Sequence, residues 1–448
     1  MFNNLKELKD FEDSCLTEII NKNGNELTQD EIEQIKAVYT SNELTKYWWQ
    51  FEKMTKPNYT FSLFKIGDTI VGVSGMDHDD YEIRDDAVHN DFQNRGIYKR
   101  LMKHTNDWLK RNRDNIPYYL FTEKTRDTDE DKKKILNHIN SGLVLLDRST
   151  GGSDTYESGV NGQTYERLGG KDYLVFRTPG NHDINFVTYN ARSGSCSGIY
   201  IGNGIILTAD HCDRLEQEDY LLSNLKVTEL RFPFRQNQKS FRIQKNFIRY
   251  PGRNTTDENF TNDFAIIRLE ENEANIFNHD MEVIPLLLDN LTIHGKSENE
   301  GGNYPSNSSK RYYYAYGIND RKIRKTKINE FHNTDISKHY GQNNIPPNLK
   351  GETFIDTLDN YRKKFNCVKI ETGKDFDEGD SGGPHFHIKN ETGQIVYLGP
   401  TGTKNYTYCL YGQDVVISAV YQHRDFIKAN HPSDLLIYNL ERDTFLFE

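Results

Sequence analysis

The sequence predicts a multidomain protein, an α+β domain over residues 1–178 followed by an all-β domain over residues 182–448. Three observations predict it. The 448 residues exceed what one hydrophobic core usually holds. Helical and strand patterns alternate up to about Arg177, and short strand patterns separated by turns fill the rest. Between the two stands Pro179-Gly180-Asn181, a turn-forming run at the change of pattern.

A hydrophobic content of 35 % and an aromatic content of 12 % supply enough material for packed cores. The formal net charge of −11 argues against a general nucleic-acid binder, which is normally basic. Met1–Asp10 lacks the apolar core of a secretory signal, and no apolar run is long enough for a membrane span. The expectation is a cytoplasmic protein, or one exported without a classical signal, with no nucleic-acid or membrane partner. Five cysteines in this length do not make a disulfide framework, and no metal site is expected. The sequons at Asn254, Asn259, Asn290 and Asn405 read as accidents of an Asn-rich composition.

In the first domain, residues 14–56 read as helical, on Glu18-Ile19-Ile20 and on the helical spacing of the apolar residues in Asp30–Val38, Ile32, Ile35 and Val38 among them. Thr60–Ile66 and Thr69–Gly75 form a hairpin about a Gly67-Asp68 turn. Tyr81–Val88 is a further strand, then a loop leads into a helix over about Gly96–Asn112. Pro117–Thr122 is a strand and Thr128–Asn140 a helix. Leu143–Asp147 and Lys171–Arg177 are the last strands, with the polar stretch Ser149–Gln163 a loop between them.

In the second domain the strand patterns are Asn185–Asn190, Gly198–Thr208, Leu225–Phe232, Phe264–Leu269, Arg311–Tyr316, Gln394–Leu398 and Asp414–Tyr421. His294–Lys310 and His339–Gly351 read as surface loops, and Asn430–Glu448 as an extra tail.

Three stretches of this domain carry chemistry: Thr208-Ala209-Asp210-His211-Cys212, Asn262-Asp263-Phe264-Ala265-Ile266, and Gly379-Asp380-Ser381-Gly382-Gly383-Pro384. They supply a base, an acid to orient it and a hydroxyl that is a poor nucleophile until a base takes its proton. In that order and context they resemble the trypsin/chymotrypsin family of serine proteases. The resemblance implies a double-barrel fold, protein or peptide substrates and no cofactor. It makes His211 the general base, Asp263 its buried orienting acid and Ser381 the nucleophile, with the amides of Gly379 and Ser381 as oxyanion hole. It also implies a disulfide between Cys196 and Cys212. Asp375, six residues before Ser381, stands where the family lines its primary pocket; buried there it would favour Lys or Arg, and in a rebuilt loop it would be exposed. Asp210 replaces a small residue, and its carboxylate would raise the basicity of His211. Cys367 and Cys409 are either a bridge or free thiols. No family-type activation terminus occurs near Asp183–Val187, so the protease is either active without one or cut near Arg177.

In the first domain the informative stretch is Ala87–Met102, where a strand ends, Gln93-Asn94-Arg95-Gly96 forms a loop and an amphipathic helix follows. Amides at such a helix start bind phosphate. The arrangement resembles the GNAT superfamily of N-acetyltransferases, in which this loop holds the pyrophosphate of acetyl-CoA. The resemblance implies acetyl-CoA, or another acyl-CoA, as cofactor, with Gln93, Asn94, Gly96 and Tyr98 as its loop. His138 stands near the position of the family's thiolate-protonating tyrosine, as a candidate acid for acyl transfer or as a plain helix residue.

The leading expectation is a serine endopeptidase fused behind a GNAT-like domain. A second makes the protein chiefly an N-acetyltransferase whose protease domain serves self-processing or regulation. A third makes the first domain a non-enzymatic sensor of acyl-CoA or of a partner that gates the protease.

Overall fold

The computed structural model describes residues 17–44, 51–113, 116–125, 128–147, 155–157, 164–166, 173–179, 185–191, 194–213, 228–231, 241–243, 246–251, 263–269, 281–288, 312–317, 322–328, 368–371, 380–389, 392–400, 415–417, 420–439 and 442–448. The chain divides into two compact units. The first comprises Met1–Leu146, Gly152–Gly180 and Asn390–Gln394; the second comprises Asp147–Gly151, Asn181–Lys389 and Ile395–Glu448.

The first unit is α+β. Its strands are β1 (Thr17–Asn23), β2 (Tyr59–Ile66), β3 (Thr69–Asp77), β4 (Glu82–Val88), β5 (Tyr119–Glu123), β6 (Val144–Leu145), a separate ribbon of β7 (Thr155–Glu157) and β8 (Thr164–Glu166), and β9 (Tyr173–Arg177). The main sheet runs β1-β2-β3-β4-β5-β9-β6. Its neighbours are antiparallel except β4 and β5, which run parallel and register at Glu82 opposite Tyr119. The helices are α1 (Gln29–Ser41), α2 (Phe51–Met54), α3 (Ile97–Asn112) and α4 (Thr128–Asn140).

The sequence explains most of these elements. Thr28 caps α1 in a capping box: its hydroxyl accepts from Glu31 N at 3.2 Å, and Glu31 Oε2 accepts from Thr28 N at 3.0 Å. A cap of this kind is worth about 1 kcal/mol. Ile35 and Val38, three residues apart, go into the core with Phe61, Leu63 and Val73 on one face of the sheet. On another cluster, Ile97 and Leu101 of α3 pack with Phe64, Val71 and Val88. Gly67, at φ +59°, turns β2 into β3.

Two expectations fail in this unit. Thr17–Asn23 is a strand, not helix, because it pairs with all of Thr60–Ile66; seven rungs of ladder outweigh a short apolar run with no cap of its own. The polar stretch after Asp147 is also more than a loop, since β7 pairs with β8 from Thr155 opposite Glu166 to Glu157 opposite Thr164.

The second unit is β-rich. Its first sheet is made of β10 (Phe186–Ala191), β11 (Gly194–Gly202), β12 (Ile205–Thr208), β13 (Thr228–Arg231), β14 (Phe241–Ile243), β15 (Asn246–Arg249) and β16 (Ala265–Arg268), in the order β14-β13-β10-β11-β12-β16-β15. The second holds β17 (Leu286–Leu287), β18 (Tyr312–Gly317), β19 (Lys322–Ile328), β20 (Val368–Glu371), β21 (Pro384–Ile388), β22 (Ile395–Pro400), β23 (Val415–Ile417), β24 (Leu436–Asn439) and β25 (Thr444–Phe447), in the order β23-β20-β19-β18-β21-β22-β17-β24-β25. A short helix, α5 (Arg424–Asn430), precedes β24. One core cluster joins residues of both sheets, among them Phe186, Ile199, Leu207, Ile266, Leu286, Phe386 and Tyr397.

Two more expectations are corrected here. Gly198–Thr208 is not one strand: it turns at Asn203-Gly204, where both residues have positive φ, and becomes the β11–β12 hairpin. Asn430–Glu448 is not an appended tail. Its β24–β25 hairpin joins the sheet through β17, which runs parallel to both β22 and β24. The loops expected at His294–Lys310 and His339–Gly351 lie outside the described residues. Among the described residues no helix is long and apolar enough to cross a membrane.

Candidate active sites

In the second unit, three adjacent strands bring their ends to one rung. Thr208, the last residue of β12, faces Ala265, the first of β16, and Ala265 faces Arg249, the last of β15. The strands are antiparallel, so the residues just after Thr208 lie beside those just before Ala265. The chain leaves β12 into a single 3-10 turn, Asp210–Asp213, which carries His211. Asp263 holds that turn twice: Oδ1 accepts from His211 N at 2.8 Å, and Oδ2 lies 2.6 Å from His211 Nδ1. An ionised carboxylate only accepts, so Nδ1 carries the proton and Nε2 is the basic nitrogen. The side chain of Asp263 is 1 % exposed and that of His211 is 17 % exposed. The acid is therefore sealed while the imidazole keeps an edge toward solvent, which a general base needs.

Ser381 is fastened to the same sheet. Its carbonyl accepts from Ser197 N at 2.8 Å and lies 3.8 Å from the sulfur of Cys212. Cys212 is bridged to Cys196, so the disulfide joins β11 to the turn that carries His211. Behind this, Thr208 Oγ1 donates to Ser197 O at 2.7 Å. A threonine has one hydroxyl proton, so Tyr189 Oη, 2.7 Å from Thr208 Oγ1, is the donor of that pair. The chain Tyr189–Thr208–Ser197–Ser381 is a buried, directional set of hydrogen bonds under the Ser381 loop, and nothing in the short motifs announces it. Gly383 N closes that loop on Asp380 O at 2.9 Å.

Asp210 is buried at 0 % exposure, and its Oδ1 lies 3.6 Å from Arg249 Nε. Next to Asp263, the ring of Phe264 stacks on His423 at 4.5 Å between centroids and 11° between planes, and Tyr250 meets His423 edge-on at 4.5 Å. Burial pushes His423 down to about 3, against a smaller upward pull from Asp263, so its imidazole is neutral. Gly379 and Asp375 lie outside the described residues, as do Cys367 and Cys409.

In the first unit, β4 ends at Val88 and the chain turns through Gln93–Gly96 into α3. Asn94 at φ +61° and Gly96 at φ +74° are both left-handed, which turns successive amides toward the loop. A Cβ built on Gly96 would meet no atom within 4 Å, so the backbone there faces open space. No acidic residue occupies the first turn of α3. Arg95 donates to Asp91 O at 2.7 Å through Nη2, while its buried Nη1 has no hydrogen-bond partner among the described residues. A guanidinium nitrogen without a partner among the described residues, in a left-handed loop that opens a helix, fits the phosphates of an acyl-CoA. Gln93 braces the loop: its Nε2 donates to Asn42 Oδ1 at 2.8 Å and to Asn90 Oδ1 at 2.7 Å.

Tyr98 and His138, expected in separate roles, are brought together. Tyr98 Oη lies 2.8 Å from His138 Nδ1, and Thr122 Oγ1 lies 3.1 Å from His138 Nε2. Burial holds His138 below its usual range, hence neutral, and pushes the Tyr98 phenol up, helped by the charge of Asp86. Tyr98, His138 and Thr122 come from α3, α4 and β5, so His138 ties α3 to β5. The neighbouring Asp85 sits at φ +55°, with Tyr59 Oη donating to its carboxylate at 3.1 Å. Burial pushes Asp85 up to about 6, against the pull of Tyr59 and Arg84.

Residues 177–427 match the trypsin family model, and residues 25–130 match the acetyltransferase (GNAT) family model. A search of curated proteins finds no significant match.

Proposed function

From a chain that belongs to the trypsin family and carries a GNAT domain ahead of its protease domain, we propose a serine endopeptidase in which His211, Asp263 and Ser381 form the relay. The observation that carries the reading is the doubly held His211–Asp263 pair, with Nδ1 2.6 Å from the sealed carboxylate. His211 Nε2 takes the Ser381 proton as its oxygen attacks the scissile carbonyl, and Asp263 stabilises the imidazolium that forms. The proton then passes to the leaving amine, and water repeats the cycle on the acyl-enzyme. The amides of Gly379 and Ser381 serve the oxyanion, and Asp375 selects Lys or Arg before the cleaved bond. A fluorophosphonate probe labels Ser381 in the wild type and not in Ser381→Ala; a folded wild type that takes no label removes this reading. Cleavage of a peptide library by wild type and Asp375→Ser tests the pocket.

The Gly96 loop supports a second activity, acyl-CoA binding with acyl transfer. The amides at Asn94–Tyr98 and Arg95 would hold the phosphates, and bound acyl-CoA supplies an activated thioester. Tyr98 and His138 form the proton-bearing pair on that side of β4. Gly96→Asp places a carboxylate in open space at a left-handed position that Asp tolerates, so the fold is kept while phosphate is repelled. Calorimetric titration with acetyl-CoA is expected to show binding to the wild type and at least tenfold weaker binding to Gly96→Asp. Absence of binding to the wild type removes the cofactor from the account.

A further inference from the structure

The carboxylate beside the proposed base has a counter-charge that the sequence motif does not reveal. Asp210 precedes His211 in the turn and is fully buried, with Arg249 Nε 3.6 Å from Oδ1. The strand register accounts for the pairing. Arg249 and Thr208 flank Ala265 on one rung, and Asp210 lies two residues past Thr208, so a guanidinium at the end of β15 reaches the turn behind His211. We infer that Asp210 and Arg249 are a charge-compensated pair that sets the basicity of His211. The inference rests on the proteolytic reading of the same site.

The physical case is one of balance. A buried carboxylate next to an imidazole favours the imidazolium and makes the base too strong to release its proton; a nearby guanidinium, here half-buried, does the reverse. Together they leave Asp263 as the anion that acts directly on His211. Among the described residues, the other titratable or charged groups on the elements around the turn are Arg268 on β16, Asp380 before Ser381, Tyr189 on β10, Tyr250 after β15 and His423, whose ring is neutral. Asp210 and Arg249 are thus positioning residues that act through His211.

The test is a pH titration of the His211 imidazole in the full chain, labelled with 13C-histidine, with the His211 signal identified by its loss in His211→Gln. Arg249→Met, which leaves the carboxylate uncompensated, is expected to move the His211 midpoint up by about one pH unit. Asp210→Asn is expected to move it down by a similar amount, and the double variant to return toward wild type. Arg249→Lys keeps the charge and is expected close to wild type, so it separates charge from packing. A His211 midpoint unmoved in Arg249→Met or Asp210→Asn, or moved the same way in both, overturns the inference. Should Arg249→Met fail to fold, Asp210→Asn against Arg249→Lys decides it. Fluorophosphonate labelling of the same samples distinguishes the two failures. An unlabelled wild type whose His211 midpoint still shifts in opposite directions removes the proteolytic reading and keeps the pair; a labelled wild type with unmoved midpoints in the variants removes the pair alone.

Discussion

Gly382 lies against the backbone of Ser197: a Cβ on Gly382 would come within 2.1 Å of the Ser197 carbonyl oxygen, and within 2.4 Å of Thr208 Oγ1. Both atoms are locked: Ser197 O accepts from Thr208 Oγ1, which itself accepts from Tyr189 Oη, and the N–H of the same Ser197 donates to Ser381 O. Gly382 also stands at φ +80°, where side chains are strained. Gly382→Ala is therefore expected to lose all fluorophosphonate labelling at Ser381 and to destabilise the second unit by at least about 2 kcal/mol. Labelling combined with a thermal melt checks both parts; a variant labelled at the wild-type rate would show that the Ser381 loop does not depend on this close approach.

Asp263→Asn should separate holding from orienting. The amide fills the same space, but its NH2 can face His211 Nδ1, which then becomes an acceptor and puts the proton on Nε2. A base with its proton on the wrong nitrogen is expected to cost about 10⁴ in kcat with the fold intact. The rate of label incorporation, with circular dichroism as fold control, is the measurement.

Asp85 makes the first unit sensitive to alkali. Its carboxyl is raised from 3.8 to about 6 in the folded protein. The folded state thus holds a proton that the unfolded chain has already lost, and the stability this contributes is present below pH 3.8 and disappears as pH rises through 6. Asp85→Asn removes the dependence. The variant is expected to gain on the wild type by roughly 2 kcal/mol between pH 4 and pH 8. Hydrogen exchange of core amides of β2 and β3 at the two pH values reads it out.

His423 and His385 act in the opposite sense in the second unit. Burial pushes each down to about 3 from 6.5. Stability is full above 6.5 and falls as the unfolded chain takes up protons, down to pH 3, by about 1.4 kcal/mol per pH unit for each histidine in mid-window. Among the described residues, neither ring nitrogen of His423 has a hydrogen-bond partner. His423→Phe is accordingly expected to keep its stability at pH 7 and to shed one histidine's share of the acid slope. Urea unfolding at pH 7 and at pH 5 tests this, and an unchanged slope would count against it.

What the sequence makes legible is what local chemistry dictates. The helix start at Thr28 needs only a capping pair, and the α3 start only its glycine and apolar spacing. The Asp210–Cys212, Asp263 and Ser381 stretches are short motifs whose residues imply their own geometry. What stays hidden depends on distant partners. Thr17–Asn23 takes strand form because Thr60–Ile66 is there to pair with it. Arg249 is one basic residue among many until the β15–β16 register sets it beside Asp210. Tyr189 and Thr208 acquire meaning only when the Ser381 loop is laid over Ser197. A two-residue strand such as β17 leaves no periodicity to read at all.

That same β17 imposes an order of events on biosynthesis. Leu286 pairs with Tyr397 on one side, and Leu286 and Leu287 pair with Ile437 and Tyr438 on the other, partners made more than a hundred residues later. Contacts so distant along the chain form slowly and only after the later segment exists. At about 5–20 residues per second, the strands that hold His211 and Asp263 have many seconds on the ribosome to pair before the Ser381 loop is translated. The second sheet then waits for the β24–β25 hairpin, so β17 gains its second neighbour only after that hairpin has been made.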